Sequence, residues 1–323
     1  MARVVATTHL PGDPARLVPG HEWLGPAAGE APWPRARWLG ALASADALVC
    51  LLSDRVDAEA LAAAPRLRVI ANYAVGHDNI DLDAASARGV AVANTPDVLV
   101  EATADFTFAL LLAAARRLGE GERLVRAGQW RGWAPDLLLG ADVAGRTLGV
   151  IGLGRIGRAV ARRAAGFAMP VLYHRGAADP GSAARAVELD ELLATSDVVT
   201  VHCPLTPATR GLLDARALAA MRPGAILVNT ARGPIVDEVA LCDALERGHL
   251  GGAGLDVFDD EPRVSARLLA APRAVLAPHL GSATTTARTR MAELCITAVR
   301  DVLAGRRPPN LVNAERLAAG GRG

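Results

Sequence analysis

The stretch from Leu148 to Gly157, LGVIGLGRIG, constrains this chain more than any other. It opens on apolar, partly β-branched residues suited to a buried parallel strand. It then turns through Gly152, Gly154 and Gly157, spaced G-x-G-x-x-G, and a helix-compatible run, RAVARRAAGF, follows over 158–167. Strand, glycine turn and helix in this order are the setting in which that spacing binds a dinucleotide. Gly152 permits the tight turn, Gly154 lets a pyrophosphate approach the backbone, and Gly157 lets helix and strand pack closely. The helix N-terminus then offers unpaired N–H groups and a positive dipole end to the phosphates.

At 323 residues the chain is long for one core and comfortable for two domains. Its net charge of +1, with the arginines scattered, gives no nucleic-acid footprint. Cys50, Cys203, Cys242 and Cys295 are far apart and form no C-x-x-C pair, so neither a metal site nor a disulfide framework is expected. Buried free thiols, no secretory leader and no long uninterrupted apolar run point to a cytoplasmic protein that does not span a membrane.

Apolar runs at 3–7, 47–52, 67–71 and 90–93 read as strands, with helices at 57–64 and 82–88 between them. This alternation argues for a parallel sheet. The stretch 11–37, rich in Pro, Gly and Trp, shows no usable period. Beyond Pro96, residues 97–118 read as one long apolar helix, expected to be buried between domains or subunits. After the fingerprint, strands are expected at 171–173, 198–202, 225–229, 252–257 and 274–277, with helices at 189–195, 214–221 and 236–247. A last helix, 284–303, leads into a tail that returns to complete the N-terminal unit. The fold expected is therefore α/β, with two doubly wound parallel-sheet lobes. A Rossmann lobe, 98–284, is inserted into a flavodoxin-like substrate lobe made of 1–97 and 285–323. The site is expected off the carboxyl ends of the strands, in a cleft between lobes.

An NAD-preferring Rossmann unit has Asp or Glu about 20 residues past the glycines to bind the ribose 2′-OH. Here the second strand ends Tyr173-His174-Arg175-Gly176, and Asp179 comes only after the turn. A cation at Arg175 favours a 2′-phosphate, hence NADP over NAD. Three polar clusters follow late strands: 229–233, 255–262 and 278–282. Together they supply Arg232, which can hold a carboxylate by a bidentate fork. They also supply His279, which can give a proton to a carbonyl oxygen, and Glu261, which can hold the imidazolium.

The chain resembles the D-isomer-specific 2-hydroxyacid dehydrogenase family along essentially its whole length. The resemblance is carried by NYAVGHDNID (72–81), TPDVLVEATAD (95–105), GLGRIG (152–157), VHCPLTPATRGL (201–212), NTARGPIVDE (229–238), GLDVFDDEP (254–262) and APHLGSAT (277–284). Within the family it looks most like glyoxylate/hydroxypyruvate reductases. The signs are LLSDRVD (51–57), the Trp133-x-Pro135 loop and the missing acid after the second strand. The resemblance implies Arg232, Glu261 and His279 as the catalytic trio. It implies Leu51, Ser53, Val75, Gly76 and Trp133, with Arg232 and His279, around the substrate, whose carboxylate would meet the Val75 and Gly76 N–H groups. The implied cofactor contacts are Thr103, Leu153, Gly154, Arg155, Ile156, Arg175, Cys203, Pro204, Thr230, Ala231, Asp256, His279 and Gly281, with Asp256 accepting from the nicotinamide carboxamide. A homodimer is implied, with Trp133 reaching into the partner's pocket. One departure stands out. Such reductases commonly carry a polar residue before the Arg, whereas this chain reads His174-Arg175-Gly176, so the Arg comes one step early.

The expected activity is NADPH-dependent reduction of a small 2-oxo acid, glyoxylate or hydroxypyruvate, to the D-2-hydroxy acid. A general D-2-hydroxyacid or phosphoglycerate-type dehydrogenase is the enzymatic alternative. A phosphorylated substrate would call for extra cations near 51–81, where Arg55 is the one candidate in its loop, and the chain ends soon for a regulatory domain. A dinucleotide-sensing corepressor keeps the same trio but is expected to carry long flanking tails.

Overall fold

The computed structural model describes residues 1–12 and 18–320. Positions 13–17, part of the stretch without a usable period, lie outside the described residues. Two compact units emerge. The first comprises the chain up to Leu99 together with the part from Ala283 onward, and the second is Val100–Ser282.

The first unit is built on five parallel strands: β1 (Arg3–Ala6), β2 (Glu22–Leu24), β3 (Ala47–Cys50), β4 (Val69–Asn72) and β5 (Ala91–Ala93). Their order, β2-β1-β3-β4-β5, is the flavodoxin-like arrangement, which switches direction between β1 and β3. β2 lies inside the stretch left unassigned. It has three half-buried residues, too few for a period to show. The second unit has seven parallel strands: β6 (Leu148–Leu153), β7 (Val171–Gly176), β8 (Arg185–Ala186), β9 (Val198–Val201), β10 (Ile226–Asn229), β11 (Gly252–Leu255) and β12 (Ala274–Leu276). The order β12-β11-β10-β9-β6-β7-β8 puts the fingerprint strand at the switch point. The two-residue β8 was not expected from the sequence.

Both faces of the larger sheet are apolar. Ile151, Val199, Val201, Leu227 and Leu255 join one core, while Leu148, Val150, Val198, Ile226 and Val228 join the other. Alternation along each strand therefore feeds two cores, which is why the strands read as continuous apolar runs. Several helices start one residue later than the apolar pattern suggests, because the first polar residue is a cap. Asp57, Asp214 and Thr284 each accept a hydrogen bond from the backbone N–H three residues on.

The single long helix expected over 97–118 is two helices, Val100–Ala115 and Leu118–Arg126. Asp97 (φ 69°) and Arg117 (φ 53°) take left-handed backbone, which ends helical hydrogen bonding at both points. In the first of these helices Ala104 and Leu111, both fully buried, pack in the core of the second unit with Val150 and Val228. That helix's burial is thus accounted for by its own unit. Among the described residues no helix is long and apolar enough to cross a membrane.

The C-terminal segment closes the open edge of β5. Leu311 bridges Ala93, and the Val312 N–H donates to the Val92 carbonyl at 2.8 Å. Buried Asn313 completes the edge. Its Oδ1 accepts the Val92 N–H at 2.9 Å, and its Nδ2 donates to the Val90 carbonyl at 2.9 Å and to Ser86 Oγ at 3.0 Å. One side chain thus satisfies two strand-edge groups that would otherwise be buried without partners. Asn313→Ala should destabilise the protein by about 2–4 kcal/mol, since each orphaned buried group costs about 1–3 kcal/mol. Urea denaturation read by circular dichroism measures this, and a change under about 0.5 kcal/mol would contradict the assignment.

Candidate active site

The three polar clusters leave the carboxyl ends of β10, β11 and β12. At the first, the Asn229 side chain closes the loop on itself. Its Oδ1 accepts the Ala231 N–H at 3.0 Å, and its Nδ2 donates to the Arg232 carbonyl at 2.9 Å. This Asx closure sets the backbone that carries Arg232, whose Nη1 donates to the Ala231 carbonyl at 2.7 Å. A Cβ on Gly233 would sit 2.0 Å from the Phe258 carbonyl carbon, so glycine alone lets this loop lie against the one that follows β11.

That second loop carries Asp256 and Glu261. Asp256 is buried and accepts the Leu280 N–H at 2.6 Å and the Gly281 N–H at 2.7 Å. The Asp256 carbonyl also accepts the His279 N–H at 3.0 Å. These bonds pin the loop after β12 and hold His279 at φ 55°, a conformation that costs a non-glycine residue about 1–2 kcal/mol. His279 Nδ1 donates to Glu261 Oε2 at 2.8 Å, with both side chains about a quarter exposed. Glu261 Oε1 accepts the Phe258 N–H at 3.1 Å. Among the described residues His279 Nε2 has no partner.

The electrostatics separate the two acids. Burial pushes Glu261 up, but the His279 hydrogen bond and charge, the Phe258 N–H and the Arg232 charge outweigh it. Its carboxyl is held below the ordinary glutamate value. For Asp256 burial dominates and lifts the carboxyl above the ordinary value, only partly offset by the Leu280 and Gly281 N–H groups and by His279.

The fingerprint has the geometry its spacing requires. Gly152 has φ 99°, and a Cβ there would lie 2.5 Å from the Cys203 nitrogen. A Cβ on Gly157 would lie 2.2 Å from the Gly152 carbonyl oxygen, so the helix Arg155–Ala164 presses directly onto β6. Gly154, the N-cap, has open space around its missing Cβ, and no side chain caps the helix. An open, uncapped helix start next to buried Leu153, with Arg155 and Ile156 in the first turn, fits the phosphates of a dinucleotide.

Arg175 (φ 63°) and Gly176 (φ 104°) end β7. Buried Cys203 and exposed Pro204 follow β9. Burial pushes the Cys203 thiol up while the Arg175 charge opposes it, so the two lie within electrostatic reach of one another. Thr230 Oγ1 is 3.1 Å from Thr107 Oγ1, which donates to the Thr103 carbonyl at 2.8 Å. A Cβ on Gly281 would meet Asp256 Oδ2 at 3.1 Å and Thr103 Cγ2 at 3.3 Å. Thr103, Thr230, Asp256 and Gly281 are thereby one packed group. Thr107 and the loop-closing role of Asn229 escaped the sequence reading. An Asn at a strand end, two residues before a loop N–H, was the available signal for the latter.

In the first unit, Leu51 and Ser53 follow β3, and Val75 and Gly76 follow β4. The Val75 and Gly76 N–H groups have no acceptor among the described residues. Trp133 lies in the loop after Leu118–Arg126, 84% exposed.

Residues 108–281 match the model of the D-isomer specific 2-hydroxyacid dehydrogenase NAD binding domain. A glyoxylate reductase of Thermococcus litoralis is 47% identical over 294 residues, covering 88% of this chain and 89% of that one. Among solved structures, a Thermus thermophilus protein is 49% identical with a TM-score of 0.90, covering 96% of this chain and 99% of the other. An NADPH-dependent glyoxylate/hydroxypyruvate reductase of Sinorhizobium meliloti, solved with NADP and malonate, is 32% identical with a TM-score of 0.84, covering 98% and 97%. At such identity and coverage, this chain belongs to the D-isomer specific 2-hydroxyacid dehydrogenase family and is an oxidoreductase.

Proposed function

We propose that this enzyme reduces glyoxylate or hydroxypyruvate to the D-2-hydroxy acid with NADPH, using His279 as proton donor. The observation that carries this reading is the 2.8 Å contact between His279 Nδ1 and Glu261 Oε2, which leaves Nε2 without a partner among the described residues. When bound, the reduced nicotinamide supplies hydride to the carbonyl carbon. Leu153, Gly154, Arg155 and Ile156 would hold the pyrophosphate, and Arg175, Cys203 and Pro204 would line the rest of the dinucleotide. Thr103, Thr230, Ala231, Asp256 and Gly281 would also contact the cofactor, with Asp256 accepting from the nicotinamide carboxamide. Arg232 grips the 2-oxo acid and polarises its carbonyl. His279 gives its proton to the carbonyl oxygen as negative charge develops there, and Glu261 stabilises the imidazolium. The Val75 and Gly76 N–H groups take the substrate carboxylate, flanked by Leu51 and Ser53. A cytoplasmic location is supported by four buried, free cysteines.

His279→Ala should lower reductive kcat by roughly 10²–10⁴-fold, the range of a general acid. Glu261 is held below its ordinary value, so it stays ionised from mildly acidic pH upward and its support of the imidazolium persists across the working range. That support is lost only as pH falls through the lowered Glu261 value, where the carboxyl takes up a proton. Removing that charge in Glu261→Gln should lower reductive kcat by about tenfold or more at neutral pH. Steady-state kinetics of the two variants decide it, and near-normal turnover in both would remove both residues from these roles.

NADPH preference is supported by the absence of a carboxylate at the end of β7 and by the Arg175 charge. The nearest acid along the chain, Asp179, is engaged elsewhere, its Oδ1 accepting from Arg158 Nη1 at 2.8 Å. NADPH should outperform NADH with glyoxylate by about tenfold in kcat/KM, the worth of about 1.4 kcal/mol. Arg175→Ser should erase most of that ratio by raising the KM for NADPH alone. Equal use of both cofactors by the unaltered enzyme would defeat the assignment.

We also infer a homodimer in which Trp133 reaches the partner's substrate site. Its support is a concentration of exposed apolar side chains, Leu118, Val125, Trp130, Trp133, Leu137 and Leu139, within one short segment. Val125→Glu with Leu139→Glu should halve the mass found by sedimentation equilibrium. A monomeric native protein would refute the dimer.

A further inference from the structure

The first unit contains a scaffold of side-chain amides with no part in the chemistry described above. It surrounds the loop that follows β4. The Ala74 carbonyl accepts the Thr95 N–H at 2.9 Å, the Val75 carbonyl accepts Asn94 Nδ2 at 2.8 Å, and the Gly76 carbonyl accepts Asn72 Nδ2 at 2.7 Å. In a trans peptide the carbonyl and the following N–H point in opposite directions across a rigid plane. Tying the Ala74 carbonyl therefore fixes the Val75 N–H, and tying the Val75 carbonyl fixes the Gly76 N–H. These are the two N–H groups without an acceptor among the described residues.

Asn94 is itself held at both backbone groups. Its N–H donates to the Asn310 carbonyl at 3.2 Å, and its carbonyl accepts Asn310 Nδ2 at 2.6 Å. Asn79 performs the matching task for the loop after β3. Its Nδ2 donates to the Leu51 and Asp54 carbonyls, each at 3.0 Å, and lies 3.3 Å from Asn72 Oδ1. Asp54 closes that loop from the other side, accepting the Leu51 N–H at 2.7 Å and the Thr7 hydroxyl.

We propose that Asn94 is a positioning residue that pre-orients the Gly76 N–H, beside the Val75 N–H set by the Thr95 bond, for a substrate carboxylate, and that Asn79 supports the same loop through Asn72. This rests on the reading that those two groups bind the carboxylate. A preset pair of donors aimed at an anion gains from the absence of reorganisation on binding, and a loosened pair loses that gain. The contact between Asn94 and the Val75 carbonyl is only partly buried, so water can replace the amide once it is removed. The loss then falls on geometry more than on folding.

The test is steady-state kinetics with glyoxylate, together with NADPH affinity by fluorescence titration. Asn94→Ala should raise the KM for glyoxylate about tenfold or more, with kcat within about threefold and the NADPH dissociation constant within about twofold of the unaltered enzyme. Asn79→Ala, measured alongside, should shift KM in the same direction and serves if Asn94→Ala does not fold. Val75→Pro, which deletes one N–H outright, checks the underlying reading. If Val75→Pro raises KM while Asn94→Ala and Asn79→Ala do not, the positioning role falls and the carboxylate reading stands. If Val75→Pro folds with KM unchanged, the carboxylate reading falls and the proposal with it. A parallel decline of kcat, KM and NADPH affinity, or failure of both Asn variants to fold, would assign the amides to general stability and overturn it.

Discussion

The contact of Gly157 with the Gly152 carbonyl is the constraint on which the second unit depends. β6 lies inside the seven-stranded sheet, and the helix Arg155–Ala164 leaves from its carboxyl end. A Cβ at Gly157 would lie 2.2 Å from that oxygen, so any side chain there would lift the helix from the strand. Lifting it would move the uncapped N–H groups that the dinucleotide phosphates need. On its other side Gly152 admits the backbone of Cys203, which brings the exit of β9 against the exit of β6. Two missing methyl groups thus determine where helix, fingerprint turn and neighbouring strand meet.

The polar side of the same edge follows a related logic. Loops that leave parallel strands carry backbone groups no neighbouring strand can satisfy, and here buried side chains satisfy them. Asn229 folds its loop onto itself, and Asp256 takes two N–H groups from the loop after β12. The second arrangement does more than satisfy donors. It sustains the left-handed backbone at His279, a strained conformation that the loop alone would not keep. Removing the Asp256 carboxylate would release both N–H groups and relax the backbone that presents the imidazole. Strain at one residue and burial of one acid are two halves of a single device.

The sequence exposed some parts of this plainly and hid others for identifiable reasons. Strands β3, β4, β6, β9 and β10 were legible because both faces are buried, so each reads as an apolar run. The fingerprint was legible because the contacts of Gly152 and Gly157 admit nothing but glycine. Arg232, Glu261 and His279, the trio proposed for catalysis, stand out in the sequence as polar residues after strands and through the family resemblance. β2 and β8 were hidden because three or two residues cannot show a period. The division of 97–118 was hidden because Arg117, a residue with no preference for left-handed backbone, takes that conformation at the break. Thr107, Asn79 and Asn94 were hidden for a different reason. Each acts on backbone or side chains distant in the chain, and no local pattern records a hydrogen bond to residue 230, 51 or 75.

Histidines of the second unit illustrate how environment, more than residue type, separates candidates for proton transfer. There are four: His174, His202, His249 and His279. Burial pushes His202 down to about 3, and its Nε2 contacts Thr200 Oγ1 at 2.9 Å, so it is neutral at any working pH. His174 Nδ1 and His249 Nε2 each face a backbone carbonyl, of Val187 and Leu218, at 3.2 Å. A neutral carbonyl orients an imidazole but carries no full charge to stabilise an imidazolium. His279 is the one of the four paired with a carboxylate, and that carboxylate is held below its ordinary value. A histidine proposed as a general acid must hold a proton, release it to an oxyanion and be reprotonated. The first requirement needs a fixed negative charge on one ring nitrogen, and the second needs the other nitrogen to be open. Of these four, only His279 pairs one ring nitrogen with a carboxylate and leaves the other without a partner among the described residues, the arrangement the proposed role requires.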